Sequence, residues 1–334
     1  MPAESSPCQN IGRYTWRRGT VAKRPAIEEI ERAAERGREV ILRTPLVPLH
    51  SFDGCREILL KLETLQPVTN FKIRGVFHAV ASLPPEERAK GLSTVSAGNT
   101  AQALAWTGRH FGVSARCLVP DDAPTNKIEA VKHYGGEVVL TPRDELFRYM
   151  KEHGWEREPY AFIHPWTDRD VMIGHGTLGL EILAELPEVR TVYVPVGGGG
   201  LIGGVGSALK AQRPRVRVVA VEPEACPALH ESFRQGRPAT VECRTMCDGV
   251  AVPYITEEMY PLLRDVVDQV VLVSEDEVKA TIKRLALGNR IIVEGSAALP
   301  VAAALAASTE QSGPSVAVVT GGSIDTDDLL KILR

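Results

Sequence analysis

The sequence has no hydrophobic run long enough to cross a membrane and no strong excess of charge of either sign. Its longest apolar stretch, residues 291–307, is interrupted by Glu294 and Pro300, whereas a spanning helix needs about 20 largely apolar residues. The 39 basic and 42 acidic side chains leave a net charge of −3, so no surface for nucleic acid or anionic lipid is indicated. The N-terminal residues lack the apolar core of a secretory signal. We therefore expect a cytoplasmic protein that binds neither nucleic acid nor membranes.

Cysteine is scarce, with six residues scattered along the 334-residue chain. Only Cys243 and Cys247 are close in sequence, and no cluster of histidine and cysteine accompanies them. This pattern predicts neither a disulfide scaffold nor a zinc site, and we expect Cys226, Cys243 and Cys247 to be ordinary thiols. Internal repeats and low-complexity tracts are also absent, and the length of the chain predicts about two domains.

Short β-branched or aliphatic runs alternate with amphipathic segments along most of the chain. This alternation is typical of α/β proteins, in which helices cover parallel sheets and ligands bind at the carboxyl ends of the strands. Residues 1–24 show no periodicity and predict a loosely held arm, and residues 83–91 predict a loop. The predicted strands are residues 57–62, 93–96, 115–119, 137–140, 160–163, 191–196, 217–222 and 315–319. The predicted helices are residues 25–40, 72–82, 100–111, 124–133, 177–185, 203–211 and 275–289.

Four consecutive glycines, Gly197, Gly198, Gly199 and Gly200, lie between the predicted strand 191–196 and the helix that follows it. Backbone N–H groups at such a helix start can converge on an anion, so the cluster predicts a phosphate site. The identity of the phosphate stays open. Gly198, Gly200 and Gly203 also satisfy the G-x-G-x-x-G pattern of nicotinamide cofactor sites, and Glu222 ends the next strand about twenty residues later.

The segment QPVTNFKIRG, residues 66–75, places Lys72 at the start of a predicted helix. The aromatic ring of Phe71 and the nearby charge of Arg74 would both disfavour a protonated amine. Such surroundings lower the pKa of a lysine and make it a nucleophile or a base. Taken alone, the Phe-Lys pair is more typical of an ordinary solvated lysine, so its interpretation depends on the other motifs.

The segment SAGNTAQ, residues 96–102, joins a predicted strand to a predicted helix. Ser96, Asn99 and Thr100 place hydrogen-bonding groups around Gly98 at the start of that helix. This arrangement suits a bound carboxylate, because the first N–H groups of a helix lack partners within it. Simple helix capping by Asn99 or Thr100 is the alternative interpretation.

These segments and six others follow one another in the order seen in fold-type II pyridoxal-phosphate enzymes. The other six are FIHPWTDRD, GHGT, VEPEACPAL, CDGVAV, IIVEGSAALPVAAAL and VVTGGSID. Over about residues 25–334 the sequence resembles the branch of threonine/serine dehydratases (ammonia-lyases) and serine racemases. The resemblance implies a tryptophan synthase β-like α/β fold of two parallel-sheet domains with pyridoxal 5'-phosphate between them. The large domain would comprise residues 25–90 and 168–334, and the small domain residues 91–167.

The resemblance also implies roles for particular residues. Lys72 would bond covalently to the cofactor aldehyde and later remove the Cα proton of the substrate. Phe71 would pack against the cofactor ring, Asn99 would donate to its phenolic oxygen, and Thr320 would contact its pyridine nitrogen. The glycines of residues 197–200 would hold the phosphate. The substrate carboxylate would be bound by Ser96, Gly98, Asn99 and Thr100.

The sequence departs from the family pattern at several positions. Ala97 stands where racemases of this branch have a serine base, which favours dehydration over racemisation. Thr100 replaces the histidine usual in dehydratases and gives a motif more familiar in threonine and cysteine synthases, while His175 replaces a usual glutamine and is interpreted as structural. Some relatives hold a cation near Glu222, but Ala228 stands where a second acidic ligand is expected, so we expect no metal.

The implied activity is pyridoxal-phosphate-dependent elimination of water and ammonia from L-threonine or L-serine, which yields a 2-oxo acid. A β-replacement synthase or an amino-acid racemase of the same fold is the nearest alternative. A nicotinamide-dependent oxidoreductase and a protein that kept the fold without turnover are more remote. We expect a homodimer and, because residue 334 closely follows TGGSID, no fused regulatory domain.

Overall fold

The computed structural model describes residues 23–50, 57–96, 98–123, 125–307 and 313–334. Most of the predicted N-terminal arm lies outside these residues, as does Ala97. The strands are β1 (Leu46–Pro48), β2 (Ile58–Leu62), β3 (Leu92–Val95), β4 (Ala115–Pro120), β5 (Glu137–Thr141), β6 (Ala161–Phe162), β7 (Thr191–Pro195), β8 (Arg217–Pro223), β9 (Gln269–Val273) and β10 (Ser315–Val319).

Most of the helices connect successive strands, whereas α1 precedes β1 and α13 follows β10. None in the described part of the chain is long and apolar enough to span a bilayer. They are α1 (Ile27–Gly37), α2 (Lys72–Ser82), α3 (Pro85–Arg88), α4 (Asn99–Phe111), α5 (Thr125–His133), α6 (Arg143–Lys151), α7 (Arg169–Glu185), α8 (Gly200–Gln212), α9 (Ala228–Gln235), α10 (Met259–Val266), α11 (Glu275–Arg284), α12 (Gly295–Ala306) and α13 (Thr326–Leu333).

The strands form two sheets. The six-stranded sheet has the order β1-β2-β10-β7-β8-β9, and the four-stranded sheet has the order β5-β4-β3-β6. Every pairing is parallel except that of β1 with β2. Parallel neighbours need crossover connections, which the helices supply. This topology confirms the predicted α/β class with two parallel sheets.

The central strand β10 is buried on both faces. Val316 and Val318 pack in a cluster with residues of α7 and α8, whereas Ala317 and Val319 pack in a cluster with residues of α11 and α12. Successive side chains of a strand point to opposite faces, so helices cover both sides of the six-stranded sheet. Burial of each such valine contributes ~1.5–3 kcal/mol, which stabilises β10 between the two layers of helices.

Helix α7 begins earlier than the sequence predicted because a side-chain cap lies upstream of the apolar pattern. The prediction began at residue 177, but the helix begins at Arg169. The carboxylate of Asp168 accepts hydrogen bonds from the N–H groups of Asp170, at 2.8 Å, and Val171, at 3.2 Å. These bonds satisfy N–H groups that a helix leaves without internal partners.

Other local features also differ from the sequence predictions, and helices α6, α9, α10, α12 and α13 were not among the predicted helices. Strands β1 and β9 were not predicted, since β1 has only three residues and β9 lies at the edge of its sheet with mostly half-exposed side chains. Helix α3 lies within the predicted loop 83–91, with proline at its first position. The predicted helix 275–289 continues beyond Arg284 as a π-helical turn rather than as an α-helix.

A buried ion cluster connects β2, α2 and α7. The Arg74 guanidinium donates to Glu63 at 2.6 Å and to Glu181 at 2.7 Å, and Lys61 donates to Glu181 at 2.6 Å. Arg74 is 2% exposed and Glu63 is fully buried, so each charge depends on its partners. The cluster holds the first turn of α2, which carries Lys72.

The structure joins Cys226 and Cys243 in a disulfide, so the expectation that both are free thiols is wrong. The fold brings the turn after β8 beside the segment that follows α9, and the two Cα atoms are 4.3 Å apart. Their separation of 17 positions in sequence concealed this proximity. Cys117 and Cys247 are buried free thiols, and for Cys247 this is the expected state.

Candidate active site

A cavity of about 440 Å³ lies where strands of both sheets end. Ser96 after β3 and Pro120 at the end of β4 line one side, and Pro195 at the end of β7 and Thr320 after β10 line the other. The carboxyl ends of parallel strands are the usual ligand sites of α/β proteins. Every residue that the sequence analysis placed in the site lines this cavity: Phe71, Lys72, Ser96, Gly98, Asn99, Thr100, Gly197, Gly198, Gly199, Gly200 and Thr320.

Backbone hydrogen bonds hold Lys72 at the cavity. The N–H of Phe71 donates to the carbonyl of Thr320 at 2.9 Å, and the N–H of Lys72 donates to Oδ1 of Asn70 at 3.1 Å. The first bond fastens the start of α2 to the residue that follows β10, and the second is made to the side chain of a residue in the same segment. The Lys72 Nζ donates to the carbonyl oxygen of Pro165 at 2.9 Å, so the amine crosses the cavity toward the four-stranded sheet.

Burial lowers the pKa of Lys72 from 10.5 to about 8, against the opposing charge of Glu294. A lowered pKa of Lys72 is what the sequence predicted, with part of the lowering expected from the charge of Arg74. The structure turns the Arg74 guanidinium toward Glu63 and Glu181 instead, so desolvation is the cause. An amine with a pKa near 8 can serve as a nucleophile or a base close to neutral pH.

The glycine run forms a cradle at the start of α8. Gly199 has φ = +93°, in the left-handed region that favours glycine. A Cβ on Gly198 would collide with the indole of Trp166, so the backbone approaches that ring as closely as it can. The first N–H groups of α8 have no partners within the helix, and the positive end of its dipole faces the cavity. This cradle suits the phosphate of a cofactor.

Thr320 provides a second feature that suits pyridoxal phosphate. Its Oγ1 is buried and has no hydrogen-bond partner among the described residues. A buried hydroxyl without a partner is unfavourable by ~1–3 kcal/mol, and a ring nitrogen at this end of the cavity would satisfy it. Together with the amine and the glycine cradle, this hydroxyl makes the residues present compatible with the cofactor.

Comparison with known proteins agrees with these features. The family model described as "Pyridoxal-phosphate dependent enzyme" matches residues 38–321. The chain belongs to this family. Membership confirms the cofactor class that the resemblance implied, because a single model spans the segments carrying Lys72, the glycine cradle and Thr320.

Individual relatives place the protein within this pyridoxal-phosphate family. The chain is 41% identical to the L-threonine ammonia-lyase of Geobacter sulfurreducens over 314 residues, or 91% of this chain and 77% of that protein. The structure is similar to the threonine deaminase of T.th., with a TM-score of 0.83, 35% identity and coverage of 90% and 99%. It is also similar to maize serine racemase, with a TM-score of 0.87, 32% identity and coverage of 92% and 97%. These relatives confirm the threonine dehydratase and serine racemase branch.

The nicotinamide alternative finds no support in the positions of Gly203 and Glu222, neither of which lines the cavity. The carboxylate of Glu222 accepts the N–H groups of Leu229, at 2.7 Å, and His230, at 2.8 Å. Both carboxylate oxygens of Glu222 are thus occupied by N–H groups at the start of α9. They are not directed toward a ribose or a cation. Across the described ranges, no group of three or more His, Cys, Asp and Glu side chains could hold a metal ion.

Four charged residues that line the cavity were not predicted from the sequence: Glu294, Lys127, Asp248 and Arg143. Glu294 is 4% exposed and accepts a hydrogen bond from Asn99 Nδ2 at 2.9 Å. Lys127 of α5 forms an ion pair with Asp248, which begins a 3₁₀ turn that follows the disulfide segment. For Glu294 the available signal in the sequence was its position as a lone charge within the apolar run 291–307, since an isolated buried charge needs a partner.

His175 packs beneath the cavity and does not line it. Its ring lies 4.8 Å from that of Phe71, centroid to centroid, and the residue is fully buried. Burial, with the charges of Lys72 and Arg74, lowers the pKa of His175 well below its ordinary value. Neither ring nitrogen has a partner among the described residues, so a neutral imidazole supports Phe71, consistent with the structural role expected from the sequence.

Proposed function

We propose that this protein is an L-threonine ammonia-lyase that also accepts L-serine and releases the 2-oxo acid and ammonia. The observation that carries the proposal is the convergence of Lys72, the glycine cradle and Thr320 in one cavity of a chain 41% identical to an L-threonine ammonia-lyase. When bound, pyridoxal phosphate supplies an electron-withdrawing ring that takes up the charge left at Cα.

Lys72 is the proposed site of covalent attachment and the base that removes the Cα proton. A pKa of about 8 instead of 10.5 raises the fraction of neutral amine near pH 7 by roughly 300-fold, at tenfold per pKa unit. Thr320 would offer the pyridine nitrogen of the cofactor a neutral hydroxyl. A neutral partner does not keep that nitrogen protonated. Charge at Cα is then weakly stabilised, which favours prompt loss of the β-hydroxyl.

The start of α4 is the proposed site for the substrate carboxylate. The N–H of Gly98 donates to the Ser96 hydroxyl at 3.1 Å, and a Cβ on Gly98 would meet nothing within 4 Å, so space remains above this turn. The first N–H groups of α4, including that of Thr100, lack partners within the helix and attract an anion. Asn99 is the proposed donor to the phenolic oxygen of the cofactor, Phe71 packs against its ring, and residues 197–200 hold its phosphate.

Similarity to maize serine racemase makes racemisation the second candidate. Ala97, where racemases of this branch have serine, favours elimination because a methyl group cannot accept a proton. Recovered L-serine that keeps its configuration during 2-oxo acid release would support the lyase. Steady formation of D-serine without 2-oxo acid would support the racemase.

The domain division, the homodimer and the cytoplasmic location remain proposals. Strands β3 to β6 fall within residues 91–167 and the other strands fall within residues 25–90 and 168–334, which supports the proposed division into small and large domains. Sedimentation of the purified protein tests the dimer, and cell fractionation tests the location.

The activity is tested with purified protein loaded with pyridoxal phosphate. We expect continuous 2-oxo acid release from L-threonine and L-serine, and borohydride reduction should attach the cofactor to the peptide containing Lys72. Lys72→Ala should abolish release while its circular dichroism spectrum stays that of the wild type. Wild-type rates in Lys72→Ala, or no 2-oxo acid from either substrate, would overturn the proposal.

A further inference from the structure

Glu294 connects the start of α12 to the start of α4, and both Glu294 and Asn99 line the cavity. It immediately precedes α12, yet its side chain does not cap that helix. Its N–H donates to the carbonyl of Gly321 at 3.1 Å, which fixes its backbone next to Thr320. Its carboxylate extends to Asn99, the first residue of α4, whose Nδ2 lies 2.9 Å and 3.2 Å from the two oxygens.

This contact decides which end of the Asn99 amide faces the carboxylate. The two orientations of an asparagine side chain have nearly the same shape, but one presents N–H donors and the other presents a carbonyl acceptor. An ionised carboxylate can only accept, so it pairs with the nitrogen end. A single N–H can serve both oxygens of Glu294, which leaves the second N–H of Asn99 for a partner inside the cavity.

The surroundings of Glu294 contain charges of the sign that stabilises a carboxylate. Burial raises its pKa, whereas the Asn99 hydrogen bond and the charges of Lys127 and Lys72 favour the ionised form. Lys127 lies on α5 and Lys72 on α2, so two separate helices direct their positive charges toward this one acidic group. The Glu294 carboxylate is therefore stabilised as a hydrogen-bond acceptor by charges from two different helices.

We propose that Glu294 is a positioning residue that fixes the Asn99 side chain so that an N–H, and not the carbonyl oxygen, faces the phenolic oxygen of pyridoxal phosphate. The inference rests on the role given to Asn99 under the proposed function. Without Glu294 the amide can turn, and its carbonyl oxygen would then oppose an oxygen of the cofactor. Glu294 lines the cavity and its charge also bears on the pKa of Lys72, but the role proposed here is exerted through the Asn99 side chain.

Glu294→Gln tests the inference, because glutamine keeps the shape but can also donate and so permits both orientations of Asn99. The readouts are the visible absorption spectrum and the pyridoxal-phosphate affinity of protein without substrate. We expect a shift of the visible band to shorter wavelength and an affinity about tenfold weaker, from the loss of one charge-assisted hydrogen bond. Asn99→Ala should cause the same shift, and the double variant should show no larger effect than Asn99→Ala alone.

Glu222→Gln is the matched control, since it neutralises another buried glutamate away from the cavity, and its spectrum should equal that of the wild type. A wild-type spectrum and affinity in Glu294→Gln, or additive effects in the double variant, would overturn the inference. If Glu294→Gln does not fold, Asn99→Asp replaces it. Two carboxylates would then face each other, and the affinity should fall below that of Asn99→Ala; equal affinities would contradict the inference.

These measurements need no substrate. Absence of threonine turnover would therefore refute the proposed function and leave the inference about Glu294 intact. Conversely, normal turnover with an unchanged Glu294→Gln spectrum would refute the inference alone.

Discussion

Replacing Lys72 by methionine should stabilise the cofactor-free protein, because the cavity holds a buried amine for reactivity rather than for folding. Lowering the pKa of Lys72 from 10.5 to about 8 corresponds to about 3 kcal/mol at ~1.4 kcal/mol per pKa unit. Methionine has a similar length and no charge, so it removes this penalty. It also removes the hydrogen bond from Nζ to the Pro165 carbonyl, worth ~1 kcal/mol. We expect the free energy of unfolding of Lys72→Met to exceed that of the wild type by about 2 kcal/mol at pH 7.

The pH dependence of the stability difference between Lys72→Met and the wild type tests independently whether burial of the charged amine is unfavourable. Below about pH 8 the Lys72 amine is protonated in both the folded and the unfolded wild type, so the penalty is complete. Between about pH 8 and 10.5 the unfolded chain holds a proton that the folded protein has released, and wild-type stability gains with rising pH. The advantage of Lys72→Met should be constant up to about pH 8 and should disappear by about pH 10.5.

Urea unfolding of cofactor-free protein at several pH values measures both quantities. Lys151→Met, which replaces an exposed lysine of α6, serves as the control and should stay within ~0.5 kcal/mol of the wild type. A Lys72→Met protein no more stable than the wild type at pH 7, or an advantage that persists undiminished at pH 10.5, would refute the burial argument.

Three further predictions concern the cradle, the ion cluster and the disulfide. Gly198→Ala drives a Cβ into the Trp166 indole and should weaken pyridoxal-phosphate binding ~tenfold; unchanged affinity in a cofactor titration would contradict the cradle. Arg74→Ala leaves the fully buried Glu63 without its cation and should lower the free energy of unfolding by ~3–5 kcal/mol, and a loss below ~1 kcal/mol in urea would be inconsistent with that pairing. Cys226→Ser opens the disulfide to Cys243 and should destabilise oxidised protein by ~3 kcal/mol; thermal midpoints that match the wild type without reductant would argue against the bond.

The residues of the candidate site could be named from the sequence because each lies in a local motif, and the order of these motifs resembles that of one enzyme family. Lys72 begins a helix, the glycines 197–200 follow β7, and Thr320 follows β10. Carboxyl ends of parallel strands meet at one edge of a sheet, which agrees with the glycines and Thr320 lying in one cavity, whereas the roles of Lys72 and Thr320 were implied by the family resemblance. The same reasoning missed β9, because a half-exposed edge strand gives a weak apolar signal.

Residues whose function depends on a distant partner were not predictable. Glu294 and Asn99 are 195 positions apart, and the sequence marks Glu294 only as a charge in an apolar run. Arg74 was expected to act on Lys72, its neighbour in sequence, but it pairs with Glu63 and Glu181. Proximity along the chain predicted the wrong partner because a long side chain leaves its helix in a direction that only the packed fold determines.

The sequence by itself determined the α/β architecture, because periodicity is written in neighbouring positions, and the order of its short motifs carried the family resemblance that implied the cofactor class. The tertiary structure alone decided which buried charges pair, which cysteines bond and which way the Asn99 amide faces. Those outcomes depend on distances between segments far apart in sequence, and electrostatic and hydrogen-bond energies change steeply over a few ångströms.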